Sequence, residues 1–274
     1  TRIASSHIRV GTFEYAAALG DRALLESLVD YTLRRHYADF LEAENKALAL
    51  LEGVIERQAR LVARWAGVGF VHGVMNTDNM ALSGETIDYG PCAFLDAYDP
   101  ATVFSSIDRG GRYAFGNQPS VAHWNLARLA EALVPLLHKD QAKAVEMAEA
   151  ALARFPERFA YFYAGVLRAK LGLCHEEEGD FVLAQEFLQS MQASGADFTK
   201  AFDDLTRSVE SGKLTALSSQ GVSGGQPWQA KWRARLGHQQ AEKAEVRALM
   251  RSANPVVVPR NHRVEEALAA AEDG

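Results

Sequence analysis

Apolar residues recur at intervals of three and four through most of the chain, and that period belongs to amphipathic helices. Between Phe13 and Tyr37 the positions Tyr15, Leu19, Leu24, Leu25, Leu28 and Leu33 predict one helix or a broken pair. Residues 40–66 continue the habit through Leu41, Leu48, Leu51, Val54, Ile55 and Leu61. The texture changes between Gly67 and Gly90, where Gly and β-branched residues concentrate. Short apolar pieces there, around Val68–Val74, Met80–Leu82 and Thr86–Ile87, predict two or three short strands joined by loops. Residues 91–120 hold Pro91, Pro100, Gly110, Gly111, Gly116 and Pro119 and read as a long irregular stretch, a kind that is usually functional inside a domain. Helical spacing returns at Val121–Leu137, Gln141–Gly172, Asp180–Ala193 and Lys200–Val209. Gly221–Pro227 reads as a linker, and Trp228 and Trp232 predict a helix that packs on the core again. Residues 254–272 close the chain with a short helix whose expected N-cap is Asn261. The expected architecture is mainly α with a small β insert carrying the loops.

Composition narrows the function. Of 274 residues, 48% are hydrophobic and 23% charged, ordinary for a globular protein. Lys and Arg number 29 against 35 Asp and Glu, a net charge of −6, which argues against a general nucleic-acid binder. No apolar run approaches the ~18 residues that cross a membrane. Cys92 and Cys174, the two cysteines, do not make a disulfide scaffold and suit a reducing compartment. With no signal or transit segment in view, a bacterial cytoplasm is the expected location. The chain enters patterned sequence directly at Thr1 and reads as a piece of something longer.

The chemistry concentrates in His72-Gly73-Val74-Met75-Asn76-Thr77-Asp78-Asn79, followed by Asp88-Tyr89-Gly90. The protein-kinase catalytic loop, H-R-D-L-x-x-x-N, and the later D-F-G have the same order. His72 stands where the loop His belongs, Asn79 where the metal-binding Asn belongs, and Asp88 opens the last triplet. An Asn carbonyl and an Asp carboxylate are hard oxygen donors suited to Mg²⁺ or Mn²⁺ on nucleotide phosphates. A hairpin of Met80–Leu82 and Thr86–Asp88 is expected to bring them together. The kinase catalytic Asp is replaced by Val74, which cannot accept a proton, and Asp78 becomes the candidate base. The kinase Gly-rich loop and the V-A-I-K lysine are absent from these 274 residues, so the N-terminal lobe is missing. Singly, each short motif also suits a turn; their joint occurrence in order points to a kinase-like site.

The blocks HGVMNTDNM, TIDYGPCAFLDAYDP, FSSIDRGGRYAFGNQP and WNLARLAEAL resemble the selenoprotein O (YdiU) family. The likeness covers almost the whole chain, with RIASSHIRVGTFEYAA resembling the family's hinge segment and NPVVVPRNHRVEEAL a late helix. It implies a kinase-like C-lobe as one domain over 1–274, divided into a hinge segment (1–12), a catalytic loop and metal-binding hairpin (67–90), an activation-segment-like loop (91–120) and a helical remainder (121–274). It further implies a protein adenylyltransferase that moves AMP from ATP to Ser, Thr or Tyr hydroxyls with Mg²⁺ or Mn²⁺. By position, Asp78 matches the proton acceptor, Asn79 and Asp88 the metal ligands, and Arg2 and Arg9 the arginines on the nucleotide phosphates. A guanidinium fork suits phosphate oxygens. The family's N-lobe and its C-terminal redox tail have no counterpart here, so the fragment is expected to be inactive alone. A kinase-like phosphotransferase and a non-catalytic nucleotide-binding module are the rival readings.

The remaining polar and aromatic groups carry plainer expectations. Cys92 reads as a small buried residue, and Cys174-His175-Glu176 lacks the second ligand pair of a metal site. Asp96, Asp99 and Asp108 suit turns or caps more than a substrate groove. Glu176–Glu178 reads as a solvated face, while Phe155, Phe159, Tyr161, Phe162 and Tyr163 read as core.

Overall fold

The computed structural model describes residues 4–215 and 225–273. Arg2 and residues 221–224 of the expected linker lie outside the described residues. The described chain is mainly helical. In order run α1 (Val10–Ala18), α2 (Arg22–His36), α3 (Lys46–Val68), β1 (Phe70–Val71), β2 (Ala93–Phe94), α4 (Gln118–Leu137), α5 (Gln141–Leu152) and α6 (Arg154–Leu171). They are followed by α7 (Asp180–Ser194), α8 (Phe198–Ser211), α9 (Gly225–His238), α10 (Lys243–Ala253) and α11 (Asn261–Asp273).

Local chemistry sets most boundaries. The first helical stretch is a broken pair because the chain turns left-handed at Gly20, φ 71°, and Asp21 then caps α2 by accepting from the Leu24 amide. The second stretch starts later than its spacing suggests. A 3-10 turn occupies Ala38–Phe40, and α3 begins only after Asn45, whose Oδ1 accepts from the Leu48 amide at 3.0 Å. Gln141–Gly172 divides into α5 and α6 around Ala153; Pro156, which has no N–H, is tolerated in the first turn of α6. Asp197 caps α8, Asn261 is the first residue of α11 rather than its cap, and α10 was not anticipated.

Two apolar clusters form the interior. One gathers Phe13, Leu33, Leu50, Leu51, Val62, Leu126 and Leu133 from α1–α4. The other gathers Leu167, Phe187, Phe202, Leu205, Trp228, Trp232 and Met250 from α6–α10. The expected packing of Trp228 and Trp232 holds: both are buried and their rings stack at 5.9 Å. Of the five α6 aromatics, Phe155 is buried and Phe159 and Phe162 pack against the first cluster, but Tyr161 is 57% exposed beneath the Arg158 guanidinium.

The small sheet joins the two clusters. β1 and β2 pair antiparallel, Phe70 opposite Phe94 and Val71 opposite Ala93. Successive strand residues point to opposite faces, so Phe70 enters the first cluster and Val71 the second. The strand partner of β1 therefore comes from residues expected to be irregular. The anticipated hairpin shrinks to one antiparallel bridge, Met80–Thr86, beyond which Asp88 leaves extended geometry with φ 60°. Residues 80–82 instead run beside 8–10: Arg9 bridges Ala81, the Val10 amide donates to the Met80 carbonyl at 3.0 Å, and the Leu82 amide to the Ile8 carbonyl at 2.9 Å. No helix among the described residues is long and apolar enough to cross a membrane.

Candidate active site

The loop after β1 is fixed from below by buried polar groups. His72 is fully buried; its Nε2 lies 2.8 Å from the Ile87 carbonyl and its amide donates to Gln118 Oε1 at 2.9 Å. Burial pushes the imidazole below its ordinary pKa of 6.5, so it is neutral at pH 7, and Nε2 carries the proton that the carbonyl accepts. Gln118 returns a second bond from Nε2 to the Phe70 carbonyl at 2.9 Å. Seven residues along the same face of α4, buried Asn125 donates to the Met75 carbonyl at 2.8 Å. Neither amide was singled out from sequence. The signal was there: a polar side chain at two positions of an otherwise apolar helical face needs a buried partner.

Gly73 lets the loop turn. Its φ is 85°, and a Cβ there would lie 2.7 Å from the Pro91 carbonyl oxygen, so only glycine fits both the backbone and the space. The chain then forms a 3-10 turn at Thr77–Asn79, with Asn76 Oδ1 accepting from the Asp78 amide at 3.1 Å.

This turn presents the candidate residues. Asn79 donates from Nδ2 to the Val74 carbonyl at 2.9 Å, which fixes the amide and directs Oδ1 away from that bond. Asp78 is exposed. Its carboxylate rests on the first turn of α1, so closely that a Cβ on Gly11 would stand 2.4 Å from Oδ1. The positive end of a helix attracts an anion there. Arg9, the residue preceding α1, donates from Nη1 to the Asp78 backbone carbonyl at 3.1 Å. Asp88, half-buried, follows the Ile87 carbonyl that His72 holds. The Met80–Thr86 bridge, one residue beyond Asn79 and two short of Asp88, pairs the two segments that carry them. Arg9 thus touches Asp78 directly, while Asn79 and Asp88 are carried by the two segments that the bridge pairs.

The donor set suits a hard cation. Two side-chain oxygens, one amide and one carboxylate, match the sparse protein ligation of Mg²⁺-type sites that rely on phosphates and water for the remainder. Among the described residues no three His, Cys, Asp or Glu side chains converge to form an all-protein cage.

Residues beyond Asp88 take structural parts. Asp99 Oδ1 accepts from the Ala101 amide at 2.9 Å, and Asp108 accepts from the Arg112 and Tyr113 amides at 2.9 and 2.8 Å, both as turn supports. Asp96 pairs with Arg260. Cys92 is half-buried against the first cluster rather than fully enclosed, and Cys174 is half-buried as well. In the acidic run, Glu176 pairs with Arg168 and Glu177 with Arg235, each at 3.0 Å.

The family model described as "Protein adenylyltransferase SelO" matches residues 1–274. "Protein nucleotidyltransferase YdiU" of Geobacillus kaustophilus is 54% identical over 271 residues, covering 99% of this chain and 55% of the relative. The protein of the same name from Methylorubrum populi is 55% identical over 280 residues, covering 99% of this chain and 56% of the relative. That from Shouchella clausii is 53% identical over 273 residues. The chain spans about half the length of these curated relatives. On a match over its whole length and on relatives above half identity, the chain belongs to the SelO/YdiU family.

Proposed function

We propose that the chain is the C-lobe of a kinase-like protein adenylyltransferase, which moves AMP from ATP to a protein hydroxyl on Ser, Thr or Tyr. The observation that carries this reading is the seating of Asp78 against Gly11, beside Asn79 in the turn that precedes the Met80–Thr86 bridge. A kinase places its acidic residue four positions earlier, where this chain has the aliphatic Val74. The displaced acid favours an acceptor placed differently from that of phosphoryl transfer. Residues 1–12 serve as the hinge segment, 67–90 as the catalytic loop and metal-binding hairpin, 91–120 as the activation-segment-like loop, and 121–274 as the helical support. Two free, half-buried cysteines accord with a reducing bacterial cytoplasm.

Asp78 accepts the proton from the attacking hydroxyl, whose oxygen bonds to the α-phosphorus as the bond to pyrophosphate breaks. Arg9 directs its guanidinium to the Asp78 carbonyl and neutralises phosphate charge; Arg2 is the second expected phosphate contact. Asn79 and Asp88 would hold Mg²⁺ or Mn²⁺, which when bound offsets the charge of the triphosphate. His72 holds the backbone that carries Asp88 and stays out of the proton transfer, because it is enclosed and neutral.

Three variants separate these roles in an enzyme extended upstream to include an N-lobe. Asn79→Ala and Asp88→Ala are expected to weaken Mn²⁺-dependent nucleotide binding and to abolish label transfer. Asp78→Ala is expected to abolish transfer while nucleotide binding persists. Transfer that survives Asp78→Ala removes the base assignment.

A further inference from the structure

On the face formed by the end of α2, the middle of α3 and the start of α6 lies a groove of about 820 Å³. Its floor is the stacked pair Tyr37 and Phe40, with ring centroids 6.1 Å apart. Five arginines line it: Arg35, Arg57, Arg60, Arg154 and Arg158. The ion pairs there do not balance. Arg154 is matched by Glu52 at 2.8 Å, and Arg158 grips both oxygens of Glu56 at 2.7 Å. Arg60 reaches only the already occupied Glu56, at 3.9 Å, with its guanidinium 4.9 Å above the Phe162 ring. Arg57 lies on the Tyr37 ring at 4.0 Å and donates to the carbonyls of Ser83 and His36. Arg35 donates to the Ser5 carbonyl and the Tyr31 hydroxyl. Among the described residues none of these last three has a carboxylate to itself, and Asp39 is the remaining acid of the groove.

We infer that this groove is a docking site for an acidic segment of the protein substrate, whose carboxylates take up the surplus charge of Arg35, Arg57 and Arg60. The inference rests on the reading that the enzyme modifies other proteins. Carboxylates match guanidinium forks two bonds at a time. A long nucleic acid is the weaker fit: the chain as a whole carries −6, and Glu52, Glu56 and Asp39 interrupt the basic surface. The positive potential has an internal reporter in His36, at the groove wall. Its pKa is lowered first by burial and then by Arg57 and Arg35, against a smaller opposing pull from Glu85. An acidic occupant offsets those two charges and moves the pKa of His36 back up.

The test is direct binding of a fluorescent Glu-rich peptide to the 274-residue chain without ATP, read by anisotropy at low and physiological salt. Binding that weakens with salt is expected, together with a loss of about tenfold in the double variant Arg35→Glu/Arg60→Glu. A smaller loss is expected in Arg60→Gln, which removes the charge without reversing it. Lys139→Glu, outside the groove, is the control, and melting temperatures confirm that each variant is folded. In the wild type, the His36 imidazole resonance should titrate at higher pH when the peptide is present. No binding, equal binding by folded variants, or tighter binding of an oligonucleotide of equal charge overturns the inference. Because binding is read without nucleotide, its failure leaves the proposed reaction untouched, whereas failure of AMP transfer with peptide binding intact leaves the groove an acidic-peptide site and removes only the identity of the peptide as substrate.

Discussion

A single methyl group placed on Gly11 would stand 2.4 Å from Oδ1 of Asp78. The first turn of α1 and the candidate base are therefore built to one another's shape, and the fit depends on the absence of a side chain. Gly11→Ala should leave the helix intact, since Ala favours helix over Gly by up to about 1 kcal/mol. It must still displace the Asp78 carboxylate. In an upstream-extended enzyme, AMP transfer is expected to fall by about a hundredfold with little change in melting temperature. Full activity in Gly11→Ala would show that the position of Asp78 is unimportant.

His72 makes a stability prediction with a definite sign. In the folded protein burial holds it neutral below its ordinary value of 6.5, whereas the unfolded chain takes a proton there. The unfolded state thus binds more protons as pH falls through 6.5, and stability declines by up to about 1.4 kcal/mol per pH unit for this group. His36 is shifted in the same direction and adds to the slope. Urea unfolding of His72→Gln between pH 5 and 7.5 should show a shallower slope than the wild type. His72→Ala, which also loses the bond to the Ile87 carbonyl, should cost about 2–4 kcal/mol at pH 7.

Lys170 is wholly buried on α6, with Nζ 3.8 Å from the centre of the Phe202 ring and 5.2 Å from that of Phe198. Burial pushes its pKa down from 10.5 to about 7. Here too the unfolded chain holds the proton more tightly, so this group's contribution to stability rises with pH between about 7 and 10.5. The aromatic faces offset part of the burial cost. Lys170→Met keeps the length of the side chain without the charge. It should stabilise the protein at pH 7 by on the order of 1–4 kcal/mol and flatten its alkaline pH dependence. A less stable variant with an unchanged slope would contradict this account of Lys170.

Gly73 and Pro91 link the 72–79 loop to the strand region beyond Asp88. Gly73→Ala meets both a left-handed backbone and the Pro91 carbonyl at 2.7 Å. A loss of about 2 kcal/mol or more is expected in thermal unfolding.

How far the sequence alone reached depends on the range of the interaction that decides each feature. Helices were legible because apolar spacing is local, and Trp228 and Trp232 announced their burial by a four-residue interval. The strands were not. β1 and β2 are two residues each, and their pairing joins positions more than twenty residues apart through contacts no local pattern encodes. Leu41 continues the apolar period and so predicts an earlier start for α3, while the cap at Asn45 decides where the helix begins. At the candidate site, Asp78, Asn79 and Asp88 were legible only as candidate residues, because ligand chemistry restricts residue type. Gly11 and Gln118 were not, since one acts by having no side chain and the other by bonding backbone far away.

The most direct test of the central claim is isotope transfer to a protein acceptor from α-labelled and γ-labelled ATP in parallel, with Mn²⁺ and with Mg²⁺. Both the 274-residue chain and an upstream-extended version are assayed. The account predicts label from α-labelled ATP alone, carried by the extended protein and lost in Asp88→Ala. Label from γ-labelled ATP would make the enzyme a phosphotransferase and contradict the role assigned to Asp78.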